Sequence, residues 1–181
     1  QHKVRFYWTP NEQTEGYLLI PRNKGKKPAV ITVFYEPETA VGMGSKPNRD
    51  FALQLTKRGF VTLSLGTTRT SLEKNYSIYY PGREYASIQP LSVLAYAAAN
   101  ALEALSKVKE VDTDRIGIVG HSYGGKWSMF ASCLYDKFAC AAWIDPGIVF
   151  DETKAGGVIT GNPGTWVIIR HHGQTHGEKQ V

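Results

Sequence analysis

Cysteine and long apolar runs are scarce in this sequence, and both absences exclude classes of protein. Its 181 residues include two cysteines, too few for a disulfide framework, and no CxxC pair suggests a zinc site. No apolar run reaches the roughly 18 residues that a membrane-spanning helix needs. The net charge of +5 is mildly basic and is not by itself a signal of nucleic-acid binding. We therefore expect no metal, no membrane segment and no nucleic-acid partner.

The rest of the composition is that of a folded domain. Hydrophobic residues make up 42% and charged residues 20% of the chain, which excludes a disordered, collagen-like or coiled-coil protein. The length predicts a single domain over residues 1–181. Because the chain begins with Gln1, we expect a mature or trimmed form in which no signal peptide names a compartment. A secreted or periplasmic location stays an open expectation.

Apolar runs and helical periodicities alternate along the chain. Continuous β-branched runs such as PAVITVFY are typical of strands buried on both faces of a parallel sheet. Strands are predicted at residues 3–8, 16–20, 28–35, 60–65, 116–119, 139–144 and 165–169. Helices are predicted at residues 49–58, 88–108 and 124–135, and a turn at 111–115. This alternation predicts βαβ units in an α/β fold, with a mainly parallel sheet and helices on both faces.

The segment Gly120-His121-Ser122-Tyr123-Gly124 joins a predicted strand to a predicted helix. It is a G-x-S-x-G motif in the strand–turn–helix context that the motif requires. We expect the turn to be strained, with both glycines lying where a side chain would collide with a neighbouring strand or helix. The serine then stands at a helix N-terminus, where backbone N–H groups favour a developing oxyanion. The motif predicts that Ser122 is a nucleophile; the alternative is a tight turn in an unrelated α/β protein.

The segments DTDRIGIVGHSYGGKWSMFAS and AAWIDPGIVFDE resemble bacterial esterases of the dienelactone-hydrolase and acetyl-xylan-esterase type. The resemblance covers roughly residues 16–152 and implies an α/β-hydrolase fold and a serine ester hydrolase. It implies oxyanion donors at the backbone N–H of Tyr123 and of either Tyr35 or Glu36. It implies no cofactor, and a small-molecule or polysaccharide ester as substrate, such as an acetyl ester of a plant polysaccharide. The oligomeric state stays open.

The acid of a catalytic triad belongs at the carboxyl end of a strand after the nucleophile. Asp145 ends a predicted strand and precedes a Pro-Gly turn, which makes it the best geometric candidate. Its carboxylate would hold the tautomer of the catalytic imidazole. Asp151 and Glu152 are alternatives, and Asp145 also fits a turn-capping role.

The catalytic base is the weakest part of the sequence argument. In the order typical of this fold it follows the serine and the acid, and only His171, His172 and His176 do so. His121 adjoins Ser122 but is expected to point elsewhere. In one interpretation the enzyme is minimal, the strand at 165–169 is its last, and His176 or His172 lies on the following loop. A metal held by His172 and His176 is disfavoured, because the surrounding glycines oppose a helix there.

In the other interpretation, residues 153–181 are an atypical tail that is foreign to the fold. The composition after Thr153 shifts to Gly, Thr, Asn and His. The degenerate codons for ITGNPGTWV at 159–167, read one base earlier, permit the peptide NYWEPWYLG, which resembles the corresponding stretch of similar esterases. We hypothesise that a frameshift has replaced the native C-terminal part together with its histidine. Source DNA that permits no such alternative frame would refute this hypothesis.

Residues 66–83 interrupt the strand–helix rhythm and, with their continuation to Tyr85, form a predicted loop. Its tyrosines offer faces that suit sugar rings or aryl esters, and its arginines suit a carboxylate; solvated surface roles are the alternative. These residues are Tyr76, Tyr79, Tyr80, Tyr85, Arg69 and Arg83. Three rival functions stay open: an impaired hydrolase fragment, a carbohydrate-binding protein, and a peptidase of the prolyl-oligopeptidase type.

Overall fold

The computed structural model describes residues 1–10, 12–44, 48–66, 90–146 and 168–171. Within these ranges, seven strands form one sheet in the order β1-β2-β4-β3-β5-β6-β7. The strands are β1 His2–Thr9, β2 Glu12–Leu19, β3 Lys27–Phe34, β4 Val61–Gly66, β5 Val111–His121, β6 Cys140–Ile144 and β7 Ile168–His171. The described helices are α1 Pro37–Ala40, α2 Phe51–Lys57, α3 Pro90–Leu105 and α4 Tyr123–Leu134.

The centre of the sheet is parallel and its margins are antiparallel. β4, β3, β5 and β6 run in one direction, as strands joined by helical crossovers do. β1 and β2 are antiparallel because only Pro10 and Asn11 separate them, and β2 then pairs antiparallel with β4. β7 lies antiparallel on the other margin, beside β6. The predicted α/β class is confirmed, and its parallel part is these four central strands.

Helices cover both faces of the sheet, as predicted. The larger core lies under α3 and α4, where Trp127 is fully buried and its indole N–H donates to the Leu94 carbonyl at 2.6 Å. The opposite face lies under α1 and α2 and carries buried hydroxyls. Ser64 Oγ donates to the Pro37 carbonyl at 2.7 Å, and Thr62 Oγ1 to the Ala52 carbonyl at 3.2 Å. These bonds satisfy polar groups whose burial would otherwise be costly.

Three predicted element boundaries need correction. The second strand, expected to begin at residue 16, begins at Glu12. Residues 111–115, expected as a turn, form the first part of β5. The expectation still had a local basis, because the β3–β5 register jumps from Lys27↔Val111 to Ala29↔Ile116, which is an irregularity of the β-bulge kind. The last strand was expected at 165–169. β7 occupies 168–171, and 165–167 lie outside the described residues.

Candidate active site

Ser122 lies on a strained turn, the elbow, between the end of β5 and the start of α4. Its backbone has φ 55° and ψ −116°, a left-handed conformation that is uncommon for a residue other than glycine. The Ser122 N–H donates to the Ile144 carbonyl at 2.9 Å, and the Ser122 carbonyl accepts from the Lys126 N–H at 3.1 Å. Such strain persists only where the surroundings impose it. The geometry is the one that the motif predicts; the chemical role of Ser122 stays a prediction.

Three glycines explain why the chain can turn so sharply at this point. A Cβ at Gly120 would overlap the Gly124 carbonyl group, and one at Gly124 would overlap the Val33 carbonyl oxygen. A Cβ at Gly125 would lie 2.8 Å from the Ile144 carbonyl oxygen. Backbone oxygens held in a parallel sheet cannot move aside easily. The absence of these three side chains therefore lets α4 approach β3, β5 and β6 closely.

The carboxyl ends of β3 and β5 bring the two expected oxyanion residues together. Tyr35 follows β3 directly, and Tyr123 follows Ser122. Their rings stack with centroids 5.0 Å apart and an interplanar angle of 22°. The alternative donor, Glu36, precedes α1, and its carboxylate accepts a hydrogen bond from Thr39 Oγ1 at 3.3 Å. Both candidate backbone positions thus lie at the edge of the sheet that carries the serine.

Asp145 comes directly after β6 at the same edge. Its backbone has φ 46° and its side chain is exposed. It immediately follows Ile144, whose carbonyl accepts the Ser122 N–H. The best candidate for the acid is therefore one residue beyond the backbone bond that supports the elbow. The alternatives Asp151 and Glu152 lie outside the described residues.

His121 has an environment that sequence reasoning missed. Its Nδ1 is buried and has no hydrogen-bond partner among the described residues, and its ring centroid lies 6.4 Å from that of Phe34. Burial, followed by the positive charge of Arg49, lowers the pKa of His121, whereas the Asp145 carboxylate opposes this shift. The elbow motif did predict that His121 and Ser122 point differently. Nothing in the sequence indicated that Arg49 approaches from the segment before α2.

This lowered pKa makes stability depend on pH. The unfolded chain protonates His121 near the ordinary value of 6.5, and the folded chain does so only at lower pH. Between the two values the unfolded state binds more protons, so the free energy of unfolding falls as the pH drops below about 6.5. We expect the wild type to lose more stability than His121→Asn between about pH 7.5 and about pH 5.5. Urea denaturation at both pH values measures this.

The exposed His2 at the start of β1 supplies the control, because His2→Asn replaces a histidine far from the elbow. The variant should lose as much stability on acidification as the wild type. An equal loss in His121→Asn and the wild type would contradict the proposed effect of burial.

The direction of β7 bears on the position of the base. Its register pairs Ile168 with Trp143 and His171 with Cys140, so His171 lies beside the first residue of β6. Ser122 instead lies beside the last residue of β6, about 13 Å away along the strand. His171 therefore lies at the edge of the sheet opposite to the edge that carries Ser122. His172 and His176 lie outside the described residues, as do the tyrosines and arginines of the 66–85 loop.

The described part of the chain carries neither a metal-binding cluster nor a membrane-spanning helix. There, no group of three or more His, Cys, Asp or Glu side chains is arranged to hold a metal ion. None of the described helices combines the length and the apolar character needed to cross a bilayer.

No protein-family model and no curated protein matches this sequence, but solved structures match its fold. One, described as an acetyl xylan esterase from Bacteroides fragilis, is 19% identical with a TM-score of 0.62, over 76% of this chain and 42% of that one. A glucuronoyl esterase from Solibacter usitatus is 15% identical with a TM-score of 0.56, over 76% and 45%. A dienelactone hydrolase-like promiscuous phosphotriesterase from metagenomic libraries is 21% identical with a TM-score of 0.54, over 76% and 55%. The chain has the α/β-hydrolase fold and spans about half the length of these proteins.

Proposed function

We propose that the chain is a serine ester hydrolase that works through an acyl-enzyme on Ser122. The observation that carries this proposal is the strained Ser122 turn at the N-terminus of α4, held by the Ile144 carbonyl. Ser122 Oγ attacks the ester carbonyl carbon while a histidine takes its proton. The same histidine returns that proton to the departing alcohol. Water then attacks the acyl-enzyme in the same way, which releases the acid and restores the serine.

Backbone N–H groups stabilise the tetrahedral oxyanion in this scheme. The Tyr123 N–H belongs to the first turn of a 12-residue helix, where the helix dipole favours negative charge. The Tyr35 N–H is the preferred second donor and the Glu36 N–H the alternative. The stacking of Tyr35 on Tyr123 supports this pairing, because it ties the end of β3 to the residue after the nucleophile.

Asp145 is the proposed acid and His176 the proposed base. The position of Asp145 beside Ile144 supports the first assignment, and the resemblance to esterases supports the second only by chain order. The course of β7 favours a second candidate, a hydrolase fold that lacks a working base, because β7 carries the chain away from Ser122. The two candidates differ in reactivity and not in fold.

The proposed substrate is a small-molecule or polysaccharide ester, with an acetyl ester on a sugar as its most specific form. Structural neighbours described as an acetyl xylan esterase and a glucuronoyl esterase support this class. The 41% exposure of Tyr35 beside the elbow also fits a substrate that binds at this edge of the sheet.

Covalent labelling with a fluorophosphonate tests the proposal. A complete triad should give a phosphonylated peptide containing Ser122 within minutes at micromolar probe, because the activated serine attacks phosphorus as it attacks a carbonyl. Peptide mass spectrometry locates the label. An unlabelled Ser122 in the folded chain would contradict the proposed activity and support the candidate without a base.

A further inference from the structure

The ring of Tyr35 forms an exposed aromatic surface beside the elbow. One side of it stacks on Tyr123 at 5.0 Å, and the Phe34 ring meets it at 5.0 Å with an angle of 80°. Tyr123 is 7% exposed, whereas Tyr35 is 41% exposed. The two rings thus form a layer in which Tyr123 is the covered member and Tyr35 the outer one. We call the Tyr35 ring, supported by Tyr123 and Phe34, the aromatic platform.

The pairing of β3 with β5 places the platform near Ser122. β3 and β5 are adjacent parallel strands with Val33 opposite Gly120, so Tyr35 and Ser122 both come two residues after a paired position. Neighbouring strands lie about 4.8 Å apart. Tyr123, on which the platform rests, is bonded directly to Ser122. The platform and Ser122 therefore lie at the same edge of the sheet, at the ends of adjacent strands.

Aromatic side chains in this setting favour flat partners. An exposed tyrosine supported by other rings is rigid, so binding against it costs little conformational entropy. Its face attracts polarised C–H groups and the edges of other rings. A pyranose presents such C–H groups on one face, and an aryl group presents a ring, whereas an open alkyl chain has no flat face and loses rotational freedom on contact.

We propose that the side chain of Tyr35 selects esters whose alcohol carries a ring with a flat apolar face, a pyranose or an aryl group, over esters of open-chain alcohols. This inference rests on the proposed ester hydrolase and adds its specificity-determining residue. The side-chain role is separate from the backbone role proposed for the Tyr35 N–H, because a substitution at Tyr35 changes the first and keeps the second.

Three acetate esters and three variants test the proposal. The esters are methyl xyloside acetate, phenyl acetate and propyl acetate, and the variants are Tyr35→Leu, Tyr35→Phe and Tyr7→Leu. Leucine keeps Tyr123 covered but removes the ring face, phenylalanine keeps that face, and Tyr7 is a 61% exposed tyrosine on the marginal strand β1. Comparing each variant with the wild type cancels the intrinsic reactivity of each ester.

For Tyr35→Leu we expect kcat/KM to fall about 5- to 10-fold for the ring-bearing esters and less than about 2-fold for propyl acetate. Tyr35→Phe and Tyr7→Leu should keep the wild-type preference. A loss confined to methyl xyloside acetate identifies a sugar as the preferred ring, and a loss confined to phenyl acetate identifies an aryl group. An equal loss on all three esters, or no loss, would overturn the proposal, because the ring would then only support the elbow.

Binding separates failure of this inference from failure of the proposed function. Saturation-transfer NMR of methyl xyloside acetate and phenyl acetate with Ser122→Ala requires no hydrolysis. Adding Tyr35→Leu to that variant should weaken binding of at least one of them about 5- to 10-fold. If the wild type hydrolyses no ester but this weakening is seen, the proposed hydrolase activity is wrong and the proposed binding role of Tyr35 holds. If Tyr35→Leu leaves the binding of both esters unchanged, the proposed role of Tyr35 is wrong, whether or not the chain hydrolyses esters.

Discussion

Ser122→Ala is expected to lower the hydrolysis of p-nitrophenyl acetate by about 10⁶-fold, the scale seen when a triad nucleophile is removed. The Ser122 Oγ is the only protein atom in the proposed scheme that bonds to the acyl group. The members of a triad act as a unit, so His176→Ala should cause a comparable loss. The residual activity of either variant comes from the backbone N–H donors and from substrate binding alone. Initial rates with purified chains, corrected for the uncatalysed reaction, measure both losses.

A second serine on the same helix supplies the control. Ser132 Oγ donates to the Met129 carbonyl at 3.0 Å within α4, and Ser132 lies more than two turns after Ser122. Ser132→Ala should keep the wild-type rate within about twofold, since it removes only a local hydrogen bond. If the wild type and Ser122→Ala hydrolyse the ester equally slowly, the chain has the fold without a working base. If Ser122→Ala alone is inactive and His176→Ala is fully active, the base is another group.

Gly124→Ala is expected to destabilise the fold strongly, because the elbow has no room for a methyl group at this position. The added Cβ would overlap the Val33 carbonyl oxygen, and β3 is paired on both sides, with β4 and β5. α4 would have to lift away from the sheet, and Ser122 with it. We expect a loss of about 3 kcal/mol in the free energy of unfolding, the upper end of what overpacking typically costs and a large share of the roughly 5–15 kcal/mol that a domain has. Urea denaturation followed by circular dichroism measures it.

Gly25→Ala is the matched control for this substitution. Gly25 has φ +91°, and a methyl group added to its Cα would have no heavy atom within 4 Å. Alanine there meets only the cost of a left-handed backbone, about 1–2 kcal/mol. Gly124 does not have a positive φ, so Gly124→Ala carries the collision whereas Gly25→Ala carries only the conformational cost. Equal stabilities would contradict the packing argument, whereas failure to recover folded Gly124→Ala beside folded Gly25→Ala would support it.

The parts of the fold that could be predicted are those that depend on local sequence. Continuous β-branched runs predicted the central strands, because strands covered on both faces need apolar residues at every position. The glycines of the elbow predicted the turn at Ser122, because glycine is typical of positions where two backbone segments approach closely. The mainly parallel sheet and the helices on both of its faces then followed from the rules for βαβ units.

The parts that could not be predicted depend on contacts between distant segments. The stacking of Tyr35 on Tyr123 joins the end of β3 to the start of α4, which meet only after β3 and β5 pair, and the approach of Arg49 to His121 also depends on distant segments. The direction of β7 was open for a related reason: a short run such as the one at 165–169 pairs in whichever register and direction its neighbour permits. The base is undecided because its assignment depends on this last part of the chain.

The short β7 also has a consequence for association. The outer margin of a sheet presents unpaired N–H and C=O groups, which can template pairing with another chain. β7 pairs with Cys140, Ala141, Ala142 and Trp143 of β6, a run of small and aromatic residues without a charge to discourage such contact. A strand of four residues is thus enough to pair with this run of β6. With β7 in place, the open edge of the sheet lies on β7, and the N–H and C=O groups that β6 directs toward it are no longer available to another chain.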